Sequence, residues 1–474
     1  LHPVITDASF RIAEAIFQDK DADQIHLPFG ISGFSCDHAA IGTVWIKATA
    51  RQQAQTRVVN LELFDEKGER IATVEQLTLR SVPVLSLKRA MAKPFATSNV
   101  LNDWLYHLVW EVSDLPKSPD NEKAGSWLFL GDNGGVTDAL LPLMKEAGQK
   151  VYVAKSTDTA CAFLSSEDGE GLSGVLHLWA MDSRESKPDD FLLASLKVVQ
   201  VLNQVGGTGK HWFVTKGAQA VNIDDIVIPW QSQFWGFGRT LQVEQLERLG
   251  GCIDLDPVFD KVHSSLEMLV TEICSFSTET EVAFRDGSRC VARLVKPGEY
   301  KDPHGSLELD PNASYLITGG IGALGLQVAQ YLATHGACHL VLTGRSGVST
   351  DDQRSTLKAL EDAGVKIEVF AADVSNVDDV KKVISSMPNL RGIVHAAGIL
   401  DDGMLMQQSP DRFIKVSGPK VSGAWNLHSQ TLDRPLEFFV LFSSVASIIG
   451  SPGQSNYGAA NAFMDGLALS LIHI

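Results

Sequence analysis

One pattern constrains this chain more than any other: a strand, a turn with glycines, a helix and a second strand, and it occurs twice. The first copy opens at "SWLFLGDNGGVTDALLPLMKEAGQKVYVAK", near Trp127. The second opens at "ASYLITGGIGALGLQVAQYLATHGACHLVLTGRSG", near Tyr315. Strands alternating with helices imply βαβ units and a parallel sheet. In the first copy, "GVLHLWAMDS", "KHWFVTKGA" and "GCIDLDP" read as further buried strands, with "DDFLLASLKVVQVLNQV" as a helix among them. "EVAFRDGSRCVARLV" reads as a hairpin, and "KPGEYKDPHGS" as the linker to the second copy. Residues 1–90 follow a different grammar. "GTVWIKATARQ", "RVVNLELFDEKGER" and "IATVEQLTLRSV" read as strands, with "DEKGE" as a hairpin turn.

The turns of the two copies differ. Gly320, Gly322 and Gly325 fit GxGxxG between the strand "YLIT" and a helix, the context that turns a weak pattern into a dinucleotide cradle. Glycines there let backbone approach a pyrophosphate, and the helix N-terminus favours negative charge. The cradle spans Thr318, Gly319, Gly320, Ile321, Gly322, Leu324 and Gly325. The next strand ends at Arg345-Ser346, where NAD-selective sites carry an acidic residue; a positive charge suits a 2′-phosphate, so NADPH is favoured. The third strand ends at Asp373-Val374, placed for adenine. The fourth ends in Ala396, Ala397 and Gly398, small enough for the dinucleotide to lie on the backbone. The first copy has "GDNGGV" instead and reads as a structural duplicate.

Downstream, the strand "FFVLFSSVAS" reaches Ser444, and Tyr457 follows 13 residues later. Asn461 lies one helical turn beyond Tyr457 on the same face. Lys420 sits upstream in "GPKVSGAWNLH", on a helix. These residues resemble the short-chain dehydrogenase/reductase family, with one exchange. Ordinary members carry a lysine four residues after the tyrosine, where this chain has Asn461, and the lysine here is Lys420. That exchange resembles the ketoreductase domains of modular polyketide synthases and of animal-type fatty acid synthases. "PWQSQFWGFGRTLQVEQ" and "GGCIDLDP" resemble the structural subdomain of the same domains. The resemblance covers about residues 96–470. It implies NADPH-dependent reduction of a β-ketoacyl thioester. Tyr457 would give the proton, Lys420 would lower its pKa, Ser444 would bind the carbonyl oxygen, and Asn461 would hold the proton relay. Leu400-Asp401-Asp402 resembles the loop of B-type ketoreductases, which give the D-hydroxy product, and Ile449 stands where A-type members have tryptophan.

The N-terminal stretch "LHPVITDASF" resembles the second hot-dog half of a polyketide dehydratase, with Asp7 as its acid; Arg11 departs from the glutamine or histidine usual four residues on. The expected architecture is therefore α/β. A partial hot-dog (α+β) segment at 1–95 precedes two tandem Rossmann-like parallel-sheet units. The first, at 96–305, is degenerate; the second, at 306–474, is NADPH-binding and C-terminally truncated. The direct passage from dehydratase to ketoreductase favours a polyketide module over a fatty acid synthase. A catalytically impaired structural fragment is the remaining alternative. The resemblance implies an acyl carrier protein domain and neighbouring synthase domains as partners, and a homodimer in the full synthase.

Composition agrees. A net charge of −17 over 474 residues argues against nucleic-acid binding. No apolar run approaches the ~20 residues a membrane helix needs. The six cysteines form no CxxC pair, so neither a metal site nor a disulfide framework is suggested, and a cytoplasmic setting is the simplest reading.

Overall fold

The computed structural model describes residues 24–37, 44–53, 56–83, 104–116, 124–183, 189–258, 262–275, 277–296 and 308–471. The chain divides into two compact units, Leu1–Leu105 and Tyr106–Ile474. The second holds both nucleotide-fold copies, so the two expected subdomains share one body.

In the first unit, β1 (Gln24–Cys36), β2 (Trp45–Gln53), β3 (Thr56–Phe64) and β4 (Arg70–Pro83) form an antiparallel sheet in the order β1-β4-β3-β2. Strand β1 is an addition to the three strands read from sequence; its apolar pattern is broken at Pro28 and Gly30, where its register shifts. The β3–β4 turn is the "DEKGE" stretch. Asp65 Oδ1 accepts from the Lys67 and Glu69 amides, and Gly68 takes φ +81°. One face buries Val59, Leu61, Leu63, Val74, Leu77 and Leu79.

In the second unit, the first copy contributes β5 (His107–Val112), β6 (Ser126–Leu130), β7 (Lys150–Ala154), β8 (Gly174–His177), β9 (Lys210–Lys216), β10 (Leu249–Leu255), β11 (Glu281–Arg285) and β12 (Ser288–Val295). Helices α1 (Val136–Glu146), α2 (Thr157–Leu164), α3 (Asp190–Gln204), α4 (Pro229–Glu244) and α5 (Val262–Cys274) lie between them. The sheet runs β5-β12-β11-β10-β9-β8-β6-β7, parallel from β7 through β11. The hairpin β11–β12 turns on Asp286 and Gly287, both at positive φ, as a two-residue turn requires. Strand β5, not foreseen, closes the sheet against β12.

The second copy contributes β13 (Ser314–Thr318), β14 (His339–Gly344), β15 (Lys366–Ala371), β16 (Leu390–His395) and β17 (Phe438–Leu441), all parallel in the order β15-β14-β13-β16-β17. That is the doubly wound order, with its switch point between β13 and β16. In the first copy, among the described residues, β6 has only β7 outside it, one strand fewer than β13 has. The helices of the second copy are α6 (Ala323–Thr334), α7 (Asp351–Asp362), α8 (Val377–Ser385), α9 (Pro410–Ser417), α10 (Gly423–Ser429), α11 (Ala446–Ile449) and α12 (Ser455–Leu471).

The copies join through α4 and α12. Both are buried on nearly every side, α12 through Phe463, Met464 and Leu467. Each such side chain contributes about 1.5–3 kcal/mol of burial. Two glycines permit the approach: a Cβ on Gly236 of α4 would overlap the Gly458 carbonyl of α12. We expect Gly236→Ala to cost about 1–3 kcal/mol from overpacking. It should lower the urea midpoint with an unchanged slope.

Candidate active site

The cradle follows β13. Gly319 sits at φ +66°, and a Cβ there would lie 2.8 Å from the Ala397 amide nitrogen. A Cβ on Gly325 would strike the Gly319 carbonyl. These two positions therefore demand glycine, and Gly322 precedes the first turn of α6. The chain folds back so that the ends of β13, β14, β15 and β16 share one crevice of about 390 Å³. Gly319, Arg345, Asp373, Val374, Ala397 and Gly398 line it, as the sequence reading expects. Arg345 is exposed at its edge and makes no ion pair with a described residue, which leaves its guanidinium available for a phosphate. The concave backbone and the free cation fit a phosphorylated dinucleotide.

Not every cradle residue faces the crevice. Thr318 is buried, its hydroxyl paired with His395 Nδ1 at 2.6 Å, and Ile321 is buried while its carbonyl accepts from Gln353. Gly320 lies against β14, and Ser346 is exposed outside the lining. Thr343, Ser375, Lys415 and Pro419 line the crevice without having been singled out, because contact across strand ends leaves no mark in local spacing.

The first copy handles the same turn differently. Asp132, 2% exposed, turns its carboxylate onto the start of α1, accepting from the Val136 and Thr137 amides at 3.1 and 2.7 Å. Its own carbonyl accepts from Lys155. An anion is thus already seated where the second copy leaves its cradle open.

A second cavity, about 440 Å³, adjoins the crevice at Gly398 and Ile399. Leu324, Ala396, Leu400, Ser443, Lys420 and Tyr457 help line it. Lys420 is 4% exposed and lies in a π-helical turn, Gly418–Ser422, between α9 and α10 rather than in a regular helix. Its Nζ donates to Asn461 Oδ1 at 2.9 Å and to the Phe442 carbonyl at 3.1 Å, and stands 5.0 Å from the Tyr457 ring centre. Asn461 Nδ2 donates back to the Tyr457 carbonyl at 2.8 Å. That bond orients the amide with its oxygen toward Lys420; a lysine at 461 would set two ammonium groups against each other. Burial pushes the Lys420 pKa down to about 8, with Asp465 pulling upward. Ser444 follows β17, and its Oγ accepts from the Ala446 amide at 3.2 Å. Its neighbour Ser443, not Ser444, is among the residues lining the cavity.

The loop after β16 is held from both copies. Asp401 pairs with Lys415 at 2.8 Å and Arg412 at 3.4 Å, and Lys415 holds its carboxyl below the usual range. Asp402 accepts from Gln454, and its carbonyl from Arg412. Asn456, beside Tyr457, donates to the Asp401 carbonyl at 2.8 Å. Glu244 of α4 accepts from the Leu405 and Gly453 amides.

Comparison with known proteins decides the family. Residues 313–472 match the KR domain model, and residues 1–89 match one described as the polyketide synthase dehydratase N-terminal domain. A structure of A-type ketoreductases from a modular polyketide synthase superposes with a TM-score of 0.71 at 28% identity, covering 79% of this chain and 82% of that one. The chain belongs to the modular polyketide synthases, as a ketoreductase with a dehydratase segment. The first ketoreductase of the tylosin synthase is similar too, with a TM-score of 0.66 at 29% identity over 77% of this chain and 79% of that one. Polyketide synthase GfsA of Streptomyces halstedii is 31% identical over 82% of the chain, and pikromycin synthase component PikAIII of Streptomyces venezuelae 30% identical over 79%. The chain spans 5% and 24% of those two relatives. On the dehydratase side, Asp7 and Arg11 lie outside the described residues. No helix among the described residues is long and apolar enough to cross a membrane.

For this ketoreductase, Gly319→Ala adds a Cβ at positive φ and against the Ala397 backbone. It should cost at least about 1–2 kcal/mol and weaken dinucleotide binding; thermal unfolding and cofactor fluorescence titration check both.

Proposed function

We propose that the chain reduces a β-ketoacyl thioester, carried on an acyl carrier protein domain, to the β-hydroxyacyl thioester, with NADPH as reductant. The observation that carries this reading is the bonded set Tyr457–Asn461–Lys420 in a cavity that adjoins the dinucleotide crevice. Bound along the crevice lined by Gly319, Arg345 and Asp373, NADPH would supply the hydride for the keto carbon. The remaining chemistry belongs to the chain. As the carbonyl oxygen gains negative charge, Tyr457 delivers the phenolic proton to it. The Lys420 ammonium beside the ring stabilises the phenolate left behind. With a pKa of about 8, roughly nine-tenths of Lys420 carries its proton at pH 7. Ser444 is assigned to the carbonyl oxygen: its Oγ accepts from Ala446, leaving its own proton to donate.

Arg345 supports NADPH over NADH, since a guanidinium at the crevice edge matches a 2′-phosphate. Leu400-Asp401-Asp402, together with Ile449 in place of tryptophan, supports B-type stereochemistry and a D-hydroxy product. The "LHPVITDASF" opening supports assigning residues 1–95 to the second hot-dog half of a dehydratase, with Asp7 as its acid. The matched model carries the name of the N-terminal domain instead.

Oxidation of NADPH with a β-keto thioester surrogate tests the activity. Tyr457→Phe should abolish turnover, by at least about a hundredfold, while dinucleotide binding stays intact. Retained turnover would refute the role. Arg345→Asp should raise the Kd for NADPH by at least about tenfold, from loss of a charge-assisted contact, and leave NADH nearly unchanged; equal losses would remove the phosphate assignment.

A further inference from the structure

We propose that Asp465 is a positioning residue: its carboxylate is the counter-charge of Lys420, and it joins the Tyr457 helix to the loop after β17. The inference rests on the ketoreductase reading above. Among the described residues, Lys420 Nζ has two hydrogen-bond acceptors, the Phe442 carbonyl and the Asn461 amide oxygen, and both are neutral. A buried ammonium with only neutral partners is costly, so a nearby carboxylate decides whether it keeps its proton.

Asp465 is that carboxylate. It lies one turn beyond Asn461 and two beyond Tyr457, so the three share a face of α12. Its Oδ2 accepts from the Ser447 hydroxyl. Ser443, whose Oγ also reaches the Asn461 carbonyl, interacts with it from the loop after β17. Arg239 of α4 and Lys420 both favour its charged form, and Lys420 is tied to the same face of α12 through Asn461, one turn before Asp465. Arg239 is already bound in a two-point ion pair to Glu281, at 2.8 and 2.7 Å, and donates to the Ser447 carbonyl at 2.6 Å. The Arg239–Glu281 pair is neutral as a whole, which leaves Asp465 and Lys420 to balance each other. Burial pushes the Asp465 carboxyl upward; the Ser443 and Ser447 hydroxyls, Arg239 and Lys420 pull it back. The buried His395 also feels Lys420, and burial holds its pKa at about 3, so it stays neutral across the working range.

The sign of the effect is fixed. The charged form of Lys420 is present below its pKa and lost above it. Removing the Asp465 charge lowers that pKa, so the alkaline limb of the rate profile moves to lower pH. The test is kcat/KM for a β-ketoacyl thioester surrogate with NADPH, from pH 6 to 9, on the full chain and its Asp465→Asn variant. A downward shift of about one unit is expected. It corresponds to about a fivefold loss at pH 8 and less than twofold at pH 6, with the NADPH Kd unchanged. A superimposable profile would mean that Asp465 carries no charge that Lys420 senses. An equal loss at every pH would mark a packing role. Either result overturns the proposal. Asp465→Ser, which keeps a hydroxyl for Ser447, carries the same readout should the asparagine variant fail to fold. Tyr457→Phe is run alongside. Full activity there sinks the ketoreductase reading itself, whereas an inactive Tyr457→Phe with an unmoved Asp465→Asn profile sinks only this inference.

Discussion

The proposed site depends on the contact between α4 and α12. Tyr457, Asn461 and Asp465 all stand on α12, and α12 is held by a helix of the other copy. The contact works because Gly236 and Gly458 remove side chains where the two backbones meet. Leu405, Phe413 and Ala459 of the second copy then share one core with Phe234, Trp235 and Phe237 of α4. The first copy therefore acts as a wall for the proposed site, and Arg239 and Glu244 extend from that wall to Ser447, Leu405 and Gly453.

The site balances burial against charge. Lys420 is taken almost wholly out of water, which favours its neutral form, yet its proposed role requires the cation. The balance holds its pKa at about 8, low for a lysine yet high enough to keep it mostly protonated at pH 7. The amide of Asn461 suits this arrangement, since it offers an oxygen and adds no charge.

Much of this was legible in the chain itself. Alternating strands and helices, and glycines at the turn after β13, are local signals, and local signals survive in a linear text. The open cradle and the strand-end residues Arg345, Asp373 and Gly398 followed from them. The exchange of lysine for Asn461 pointed to Lys420 only through family resemblance; no periodicity links residues 41 positions apart. Three things stayed hidden for the same reason. The π-helical turn that carries Lys420 arises from packing, β5 is recruited by β12 from far along the chain, and Asp465 looks like an ordinary helix residue until the fold sets Ser447 and Arg239 beside it. Thr318 shows the reverse case. The motif singles it out for its place at the strand end, but only the fold pairs its hydroxyl with the buried His395.

Asp132 also bears on the stability of the first copy. A nucleotide fold that loses its ligand is left with unpaired amides at a helix start, a standing cost to its stability. By folding its own carboxylate onto those amides, the first copy carries a permanent internal ligand. Those helix-start amides are therefore satisfied from within the chain.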